Sequence, residues 1–296
     1  MTLSIQAIDP VSRPFFAGEV SGVDITKPLT ASEAAQIEKG MDDYGVLVFH
    51  DQKLTDDTQM AFSRNFGDLE LATNNLRTGK EQRLGAHIAD ISNLDNDNKV
   101  LGRENRRRLF SLGTRLWHSD SSFKVVPAKF SLLSARVIPD AGGNTEFADM
   151  RAGWDTLDPE TQLECMPLVC EHSQLYSRAS IGFGDFTDQE KRDFAPVSQR
   201  LVRTHPSTGR KSLYLASHAG TIIGWPIPEA RAFLRDLTEH ATQRKFVYAH
   251  QWTVNDLVVW DNRATMHRSR PFDATQIRDM HRTTVAGMRS TMAEAA

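Results

Sequence analysis

Trp117-His118-Ser119-Asp120-Ser121-Ser122-Phe123 is the stretch on which the reading of this 296-residue chain turns. His118 and Asp120 lie two apart, and on an extended segment residues i and i+2 point to the same face. An imidazole and a carboxylate then converge on one point. Joined by a histidine from a later element, they make a facial triad, which holds iron(II) on one side and leaves the opposite side open to other ligands. A lone His-x-Asp triplet is common by chance, so the rest of the chain has to supply both a scaffold and the missing ligand.

Outward from that stretch the chain reads as short strands separated by turns. Gly18-Glu-Val-Ser-Gly-Val-Asp-Ile25 is a strand ending in a turn, and Tyr44-Gly-Val-Leu-Val-Phe-His50 is an apolar run buried on both faces. Between them Thr30-Ala-Ser-Glu33 forms a capping box and opens a helix with Ala34, Ile37 and Met41 on one face. A second helix opens at Thr55, pairs Phe62 with Phe66 at i and i+4, and ends at Gly67. After the central stretch, Phe130-Ser-Leu-Leu-Ser-Ala-Arg-Val-Ile138 is a strand, and Gly142-Gly143-Asn144 turns the chain into another. Asp149 and Asp158-Pro159-Glu160 start helices. A hairpin turns at Pro206-Ser-Thr-Gly209, Pro228 opens a helix reaching about Gln243 with Phe233, Leu237 and Ala241 on its apolar face, and strands follow at 246–252, 257–260 and 280–285.

This pattern predicts a mainly β protein with flanking α: a double-sheet jelly roll with helices packed on one sheet, in a single domain over residues 1–296. Two stretches break it. Residues 70–115 are polar apart from a short strand around His87-Ile-Ala-Asp-Ile91, and residues 177–196 are polar and aromatic with interspersed glycines. Segments of this length inside a compact domain serve as functional lids or as linkers, and both are read here as active-site lids.

Composition narrows the function classes. A net charge of −3 with both signs dispersed leaves no nucleic-acid footprint, and the basic run Arg106-Arg107-Arg108 reads as a solvated loop. Two cysteines, Cys165 and Cys170, are too few for a zinc site or a disulfide framework and read as buried thiols in a reducing compartment. The first residues lack the basic and apolar regions of a signal peptide, and no apolar stretch reaches membrane-spanning length. The expectation is a cytoplasmic homo-oligomer that binds neither nucleic acid nor membrane.

Ten histidines compete for the third ligand position. His267 stands out in Leu257-Val-Val-Trp-Asp261-Asn262-Arg263-Ala-Thr-Met-His267-Arg268, where a buried strand ends in a polar turn and then presents an imidazole. His50, His172 and His240 read as structural. Downstream, Arg278 and Arg282 share one face of an extended strand. Two inward guanidiniums call for anionic partners, and the planar fork of arginine suits a carboxylate.

These residues together resemble the iron(II)/2-oxoglutarate-dependent dioxygenases of the taurine/2,4-dichlorophenoxyacetate (TauD/TfdA) family. The resemblance is strongest to the 2,4-dichlorophenoxyacetate branch. It is carried by Leu116-Trp-His-Ser-Asp-Ser-Ser-Phe123, Gly142-Gly-x-Thr145-Glu-Phe-x-Asp-Met-Arg-Ala152, Thr204-His-x-x-x-Gly209-Arg-Lys, Glu239-His-Ala-Thr-Gln-Arg244 and Trp260-Asp-Asn-Arg263, and it spans residues 18–285. It implies a double-stranded β-helix fold, with His118, Asp120 and His267 as iron(II) ligands. Thr145 and Arg278 would hold the distal carboxylate of 2-oxoglutarate, and O2 would be the third reactant. Arg282 and His218 would meet a small anionic organic substrate. Hydroxylation of an aryloxyacetate beside its ether oxygen would release a phenol and glyoxylate, with succinate and CO2 from the cosubstrate. Two other readings stay open at this stage: a sulfonate or another small carboxylate as substrate, and a jelly roll that binds metal without turnover.

Overall fold

The computed structural model describes residues 2–72 and 83–294, so residues 73–82 of the first expected lid lie outside it. In chain order the elements are β1 (Ser4–Ala7), β2 (Gly18–Ser21), α1 (Ala31–Tyr44), β3 (Val46–Phe49), α2 (Asp56–Ser63), β4 (Ala89–Asp90), α3 (Arg106–Ser111), β5 (Phe130–Val137) and β6 (Thr145–Asp149). Then come α4 (Met150–Asp155), α5 (Pro159–Cys165), β7 (Val169–His172), α6 (Gln174–Ala179), α7 (Asp188–Asp193), β8 (Val197–Arg200), β9 (Val202–Thr204), β10 (Lys211–Leu213) and β11 (Ala219–Ile222). The chain ends with α8 (Ile227–Ala241), β12 (Val247–His250), β13 (Leu257–Asp261), β14 (Thr265–Ser269) and β15 (Asp279–Val285).

Strand periodicity builds the core. A seven-stranded sheet runs β1-β2-β3-β13-β5-β15-β4, antiparallel except where β2 meets β3. Alternate residues of its central strands go to opposite faces. Leu47 and Phe49, Phe130 and Leu132, and Leu257 and Val259 pack with Ile37 and Met41 of α1 and Phe62 of α2. Val46 and Val48, Leu133 and Ala135, and Val258 and Trp260 turn the other way, onto Phe147 of β6 and Tyr248 of β12. The smaller sheet β12-β6-β14 therefore faces the large one across a shared apolar layer, the double-sheet jelly-roll arrangement. Each fully buried Leu, Val or Phe in these layers contributes roughly 1.5–3 kcal/mol relative to exposure.

Local signals explain the helices. Thr30 and Glu33 form the expected reciprocal cap of α1, and Gly45 closes that helix at φ 68°, its N–H donating to Met41 O. Asp149 and Asp158 cap α4 and α5, with Pro159 in the first turn of α5. Helices on one sheet describes α1 and α2. A second group, α4 and α8, packs behind the smaller sheet, where Leu234, Leu237 and Ala241 of α8 meet Ala148 and Met266.

Three features differ from the expectation. Residues 265–269 form a strand, β14, although Thr-Met-His-Arg-Ser carries little apolar signal. The two presumed loops contain helices: α3 in the first, and α6 with α7 in the second. The run Arg106-Arg107-Arg108 is no solvated loop. It is the first turn of α3, capped by Asn105, with Arg106 bonded to Asp185 and Glu190 and Arg107 bonded to Asp90. Cys165 and Cys170 are buried and unpaired, and burial pushes both thiols up to about 12. No helix among the described residues is long and apolar enough to cross a membrane.

Candidate active site

The sheet sets the two histidines against each other. His118 and His267 form an antiparallel bridge, exchanging both backbone bonds: His118 N–H to His267 O at 3.0 Å, and His267 N–H to His118 O at 2.8 Å. Directly opposed residues of such a pair project to one face, and the ring centroids are 4.2 Å apart. β14 is itself held in register by β6, with His267 opposite Phe147. Just past Asp120 the chain turns sharply, Ser121 adopting φ 54°, and the Asp120 carboxylate faces the imidazoles. Asp120 Oδ1 lies 3.9 Å from His118 Nε2, and Oδ2 lies 3.7 Å from His267 Nε2. The three ligand atoms fall within 4.8 Å of one another.

Surrounding groups orient this set. His118 Nδ1 donates to Leu116 O at 2.8 Å, which keeps the Nε2 lone pair for a metal. Asp120 Oδ2 accepts from Ser131 at 2.7 Å and Oδ1 from Arg282 Nη1 at 2.6 Å. The Asp120 N–H donates to Asn262, whose amide also reaches Ser131 and Trp260. Burial pushes the Asp120 carboxyl up, but Arg282, His267 and His118 together more than reverse it and hold it well below the usual carboxylate range. Burial pulls both imidazoles down, His267 most. Two neutral imidazoles beside an ionised carboxylate are the protonation states metal binding requires, and the donor set suits iron(II) with open positions.

Two cavities meet at this point. One is lined by Thr145, Trp260, His267, Phe272, Arg278 and Arg282. Here the Arg278 guanidinium, 6% exposed, has no carboxylate partner among the described residues; its Nη1 reaches only Ile91 O at 3.4 Å. Burial pulls Arg278 down to about 10, so it stays cationic at neutral pH. Thr145 Oγ accepts from Trp252 Nε1 at 3.0 Å, which leaves its hydroxyl hydrogen to donate into the cavity. An unpaired cation beside a free donor fits the distal carboxylate of 2-oxoglutarate. Arg278 stands just before β15 rather than in it, and a register shift at Asp279/Met280 separates it from Arg282.

The other cavity is lined by His118, Asp120, Phe123, Arg178, His218 and Arg282, among others. His218 is buried, with Nδ1 2.9 Å from Ser177 Oγ and its ring 5.1 Å from that of Phe123. Burial, then Arg178, drives His218 well below 6.5, so it faces the cavity uncharged. Arg282 borders both cavities and bonds Asp120. The nearby buried carboxylate Asp261 is taken by Arg263 and His205. The seven residues singled out in the sequence thus converge on one place. Missed were Ser131 and Asn262, although Asn262 sits inside the quoted Trp260-Asp-Asn-Arg263 motif, and Arg178, for which no signal in the sequence points to a buried cation. His50 and His240 sit in structural bonds, to Asp256 and to Gly153 O, and His172 stacks on Tyr214.

Known proteins share this sequence and fold. The family described as taurine catabolism dioxygenase TauD, TfdA family matches residues 7–284. The alpha-ketoglutarate-dependent 2,4-dichlorophenoxyacetate dioxygenase of Cupriavidus pinatubonensis is 44% identical over 271 residues, which is 92% of this chain and 94% of the relative. The (S)-phenoxypropionate/alpha-ketoglutarate-dioxygenase of Sphingobium herbicidovorans is 37% identical over 254 residues, 83% of each chain. The crystal structure of AAD-2 in complex with Mn(II) and N-oxalylglycine superposes with a TM-score of 0.95 at 57% identity, covering 98% of this chain and 100% of that one. With sequence and fold matched over nearly their whole length, the chain belongs to the TauD/TfdA family of dioxygenases.

Proposed function

We propose that this protein is an iron(II)- and 2-oxoglutarate-dependent dioxygenase that hydroxylates an aryloxyalkanoate such as 2,4-dichlorophenoxyacetate, releasing a phenol and glyoxylate. The observation that carries the reading is the junction of two cavities at a His-Asp-His set, one of them holding Arg278, a buried cation with no carboxylate partner among the described residues. The relatives that act on 2,4-dichlorophenoxyacetate and (S)-phenoxypropionate support the substrate class, and the Mn(II) and N-oxalylglycine in AAD-2 support a metal with a 2-oxoglutarate-like chelate.

His118, Asp120 and His267 would hold iron(II), and Thr145 with Arg278 would hold the distal carboxylate of 2-oxoglutarate. Bound together, these groups supply the oxidising chemistry: O2 is consumed, 2-oxoglutarate goes to succinate and CO2, and a substrate C–H bond is hydroxylated. The chain's own part is placement. Ser131 and Arg282 fix the Asp120 carboxylate, and Leu116 fixes the His118 tautomer. Arg282 and His218 adjoin the organic substrate, and residues 177–196 with the described part of 70–115 cover it and keep water out. The whole chain, 1–296, acts as one catalytic domain, in the cytoplasm and as a homo-oligomer; light scattering and cell fractionation check the last two.

Anaerobic addition of iron(II) and 2-oxoglutarate is expected to give a visible metal-to-ligand absorption band, and its absence would leave a non-catalytic metal-binding jelly roll. A panel of aryloxyalkanoates, sulfonates and simple carboxylates, scored by succinate formation and product mass, tests the substrate class. Turnover of taurine-like sulfonates with none of aryloxyacetates would overturn it.

A further inference from the structure

Among the described residues, four arginines line the cavity that holds His218. Arg83 bonds Asp90 and Asp279, Arg107 bonds Asp90, and Arg282 bonds Asp120. Arg178 bonds no carboxylate among the described residues, although it is 4% exposed. Its Nη1 donates to Ser177 Oγ at 3.0 Å, and its Nε is buried without a hydrogen-bond partner. Burial pulls it down only to about 10, so the group is charged at neutral pH. A buried, unpaired charge is costly unless something answers it.

The surroundings are shaped for this guanidinium. On one side its central carbon lies 4.3 Å from the Phe110 ring centroid. On the other is the backbone of Gly113, where a Cβ would fall 2.5 Å from Cζ and Nε. Glycine leaves the room, and the aromatic face holds the plane. The cation is thus seated at the cavity wall without an acidic partner among the described residues. Ser177 ties it to His218: the same hydroxyl that accepts from Arg178 lies 2.9 Å from His218 Nδ1.

We propose that Arg178 is the anion anchor of the organic substrate: its free N–H groups receive the substrate carboxylate, His218 lies beside it, and Arg282 stays committed to Asp120. This rests on the reading of the site as an oxidising centre for a small organic acid, and it names the group that selects the acid. Selection follows from asymmetry. A neutral analogue leaves the cation buried and unpaired, so it is rejected far more strongly than an extra methylene would be.

The test compares an acid with its neutral amide. Wild type, Arg178→Gln and Gly113→Ala are loaded anaerobically with iron(II) and 2-oxoglutarate. Each is titrated with 2,4-dichlorophenoxyacetate and with 2,4-dichlorophenoxyacetamide, followed through the visible band. Wild type is expected to prefer the acid, and Arg178→Gln to weaken acid binding by roughly 10- to 100-fold with amide binding near wild type. Gly113→Ala, whose new methyl displaces the guanidinium, is expected to lose the same preference, which keeps the idea testable if Arg178→Gln fails to fold. An equal loss for acid and amide would make Arg178 a mere latch between Phe110 and α6 and overturn the proposal, as would an acid preference kept by either variant. If wild type shows the band but answers to neither compound, the aryloxyalkanoate reading fails first and the anchor with it.

Discussion

The two cavities are built from different material. In the one holding Thr145 and Arg278 the metal-side wall comes from the sheets: Thr145 and His267 sit on paired strands, with Trp260 on β13 behind them, while α3 and Arg178 close the side it shares with its neighbour. The one holding His218 and Arg178 is walled by short helices on connecting segments, α3 and α6, joined by Arg106 to Asp185 and Glu190 and by the cluster of Phe110, Phe183, Phe186 and Phe194. A strand position cannot shift without breaking a ladder, whereas a six-residue helix held by ion pairs and a few rings can be rebuilt by changing those contacts. On the proposed function, cosubstrate chemistry would fall to the rigid half and substrate choice to the adaptable half.

The largest effects belong at the junction. Replacing His118, Asp120 or His267 with alanine is expected to abolish succinate release while circular dichroism keeps the β signature, because no neighbour supplies a substitute donor. Near-normal release from Asp120→Ala would break the comparison at its root. Next comes the rigid half: Arg278→Ala removes a charge-assisted bond worth roughly 1.5–3 kcal/mol and is expected to raise the apparent requirement for 2-oxoglutarate by about 10- to 150-fold. Thr145→Val acts in the same direction and more weakly, about tenfold or less. Unchanged 2-oxoglutarate affinity in both variants would move the cosubstrate elsewhere.

The adaptable half responds differently. Arg106→Ala cuts the polar tie between the two walls but leaves the aromatic cluster. Because Arg106 is about a third exposed and Asp185 mostly so, the loss is expected to be about 1 kcal/mol or less. It should appear as weaker substrate binding and faster proteolysis within residues 177–196, with 2-oxoglutarate affinity unchanged. A parallel loss of 2-oxoglutarate affinity would show that the two halves are one unit.

The same division explains what could be read in advance. β3, β5 and β13 announce themselves because apolar residues fill both faces of a buried strand, and the ligand triad follows from His-x-Asp spacing plus a histidine after a buried strand. β14 stays hidden since its residues are chosen for the site, not for apolar periodicity. The walls stay hidden because a six-residue helix completes less than two turns and shows no amphipathic period. Even so, Thr187 and Glu190 spell a capping box that marks α7. Arg178 is invisible for a deeper reason. Whether a cation is buried and left unpaired depends on Gly113 and Phe110, more than sixty residues earlier in the chain.

The smallest effect tests how firmly the walls are fastened to the rigid half. His281, on β15 next to Arg282, places Nδ1 2.5 Å from Asp56 and Nε2 within ion-pair distance of Asp279, at 3.4 Å. Asp279 also receives Arg83, which reaches on to Asp90, while Arg136 approaches Asp56. Burial pulls the imidazole down, but Asp279 and Asp56 outweigh it and raise His281 above its ordinary value. A group whose folded pKa is raised stabilises the fold fully below about 6.5, its unfolded value, and loses that contribution as pH climbs through the folded value. Thermal stability is therefore expected to decline as pH rises from 6 through that window, and His281→Gln is expected to flatten the decline. Arg83 and Arg136 remain to pair with the two aspartates once the imidazole is neutral, so the change should stay at about 1 kcal/mol or less. If substrate affinity falls in the same window and stops falling in His281→Gln, the link from Asp279 through Arg83 to Asp90 carries strain from β15 into the wall. If stability instead rises with pH, the imidazole is neutral in the fold and Arg83 alone fastens that wall.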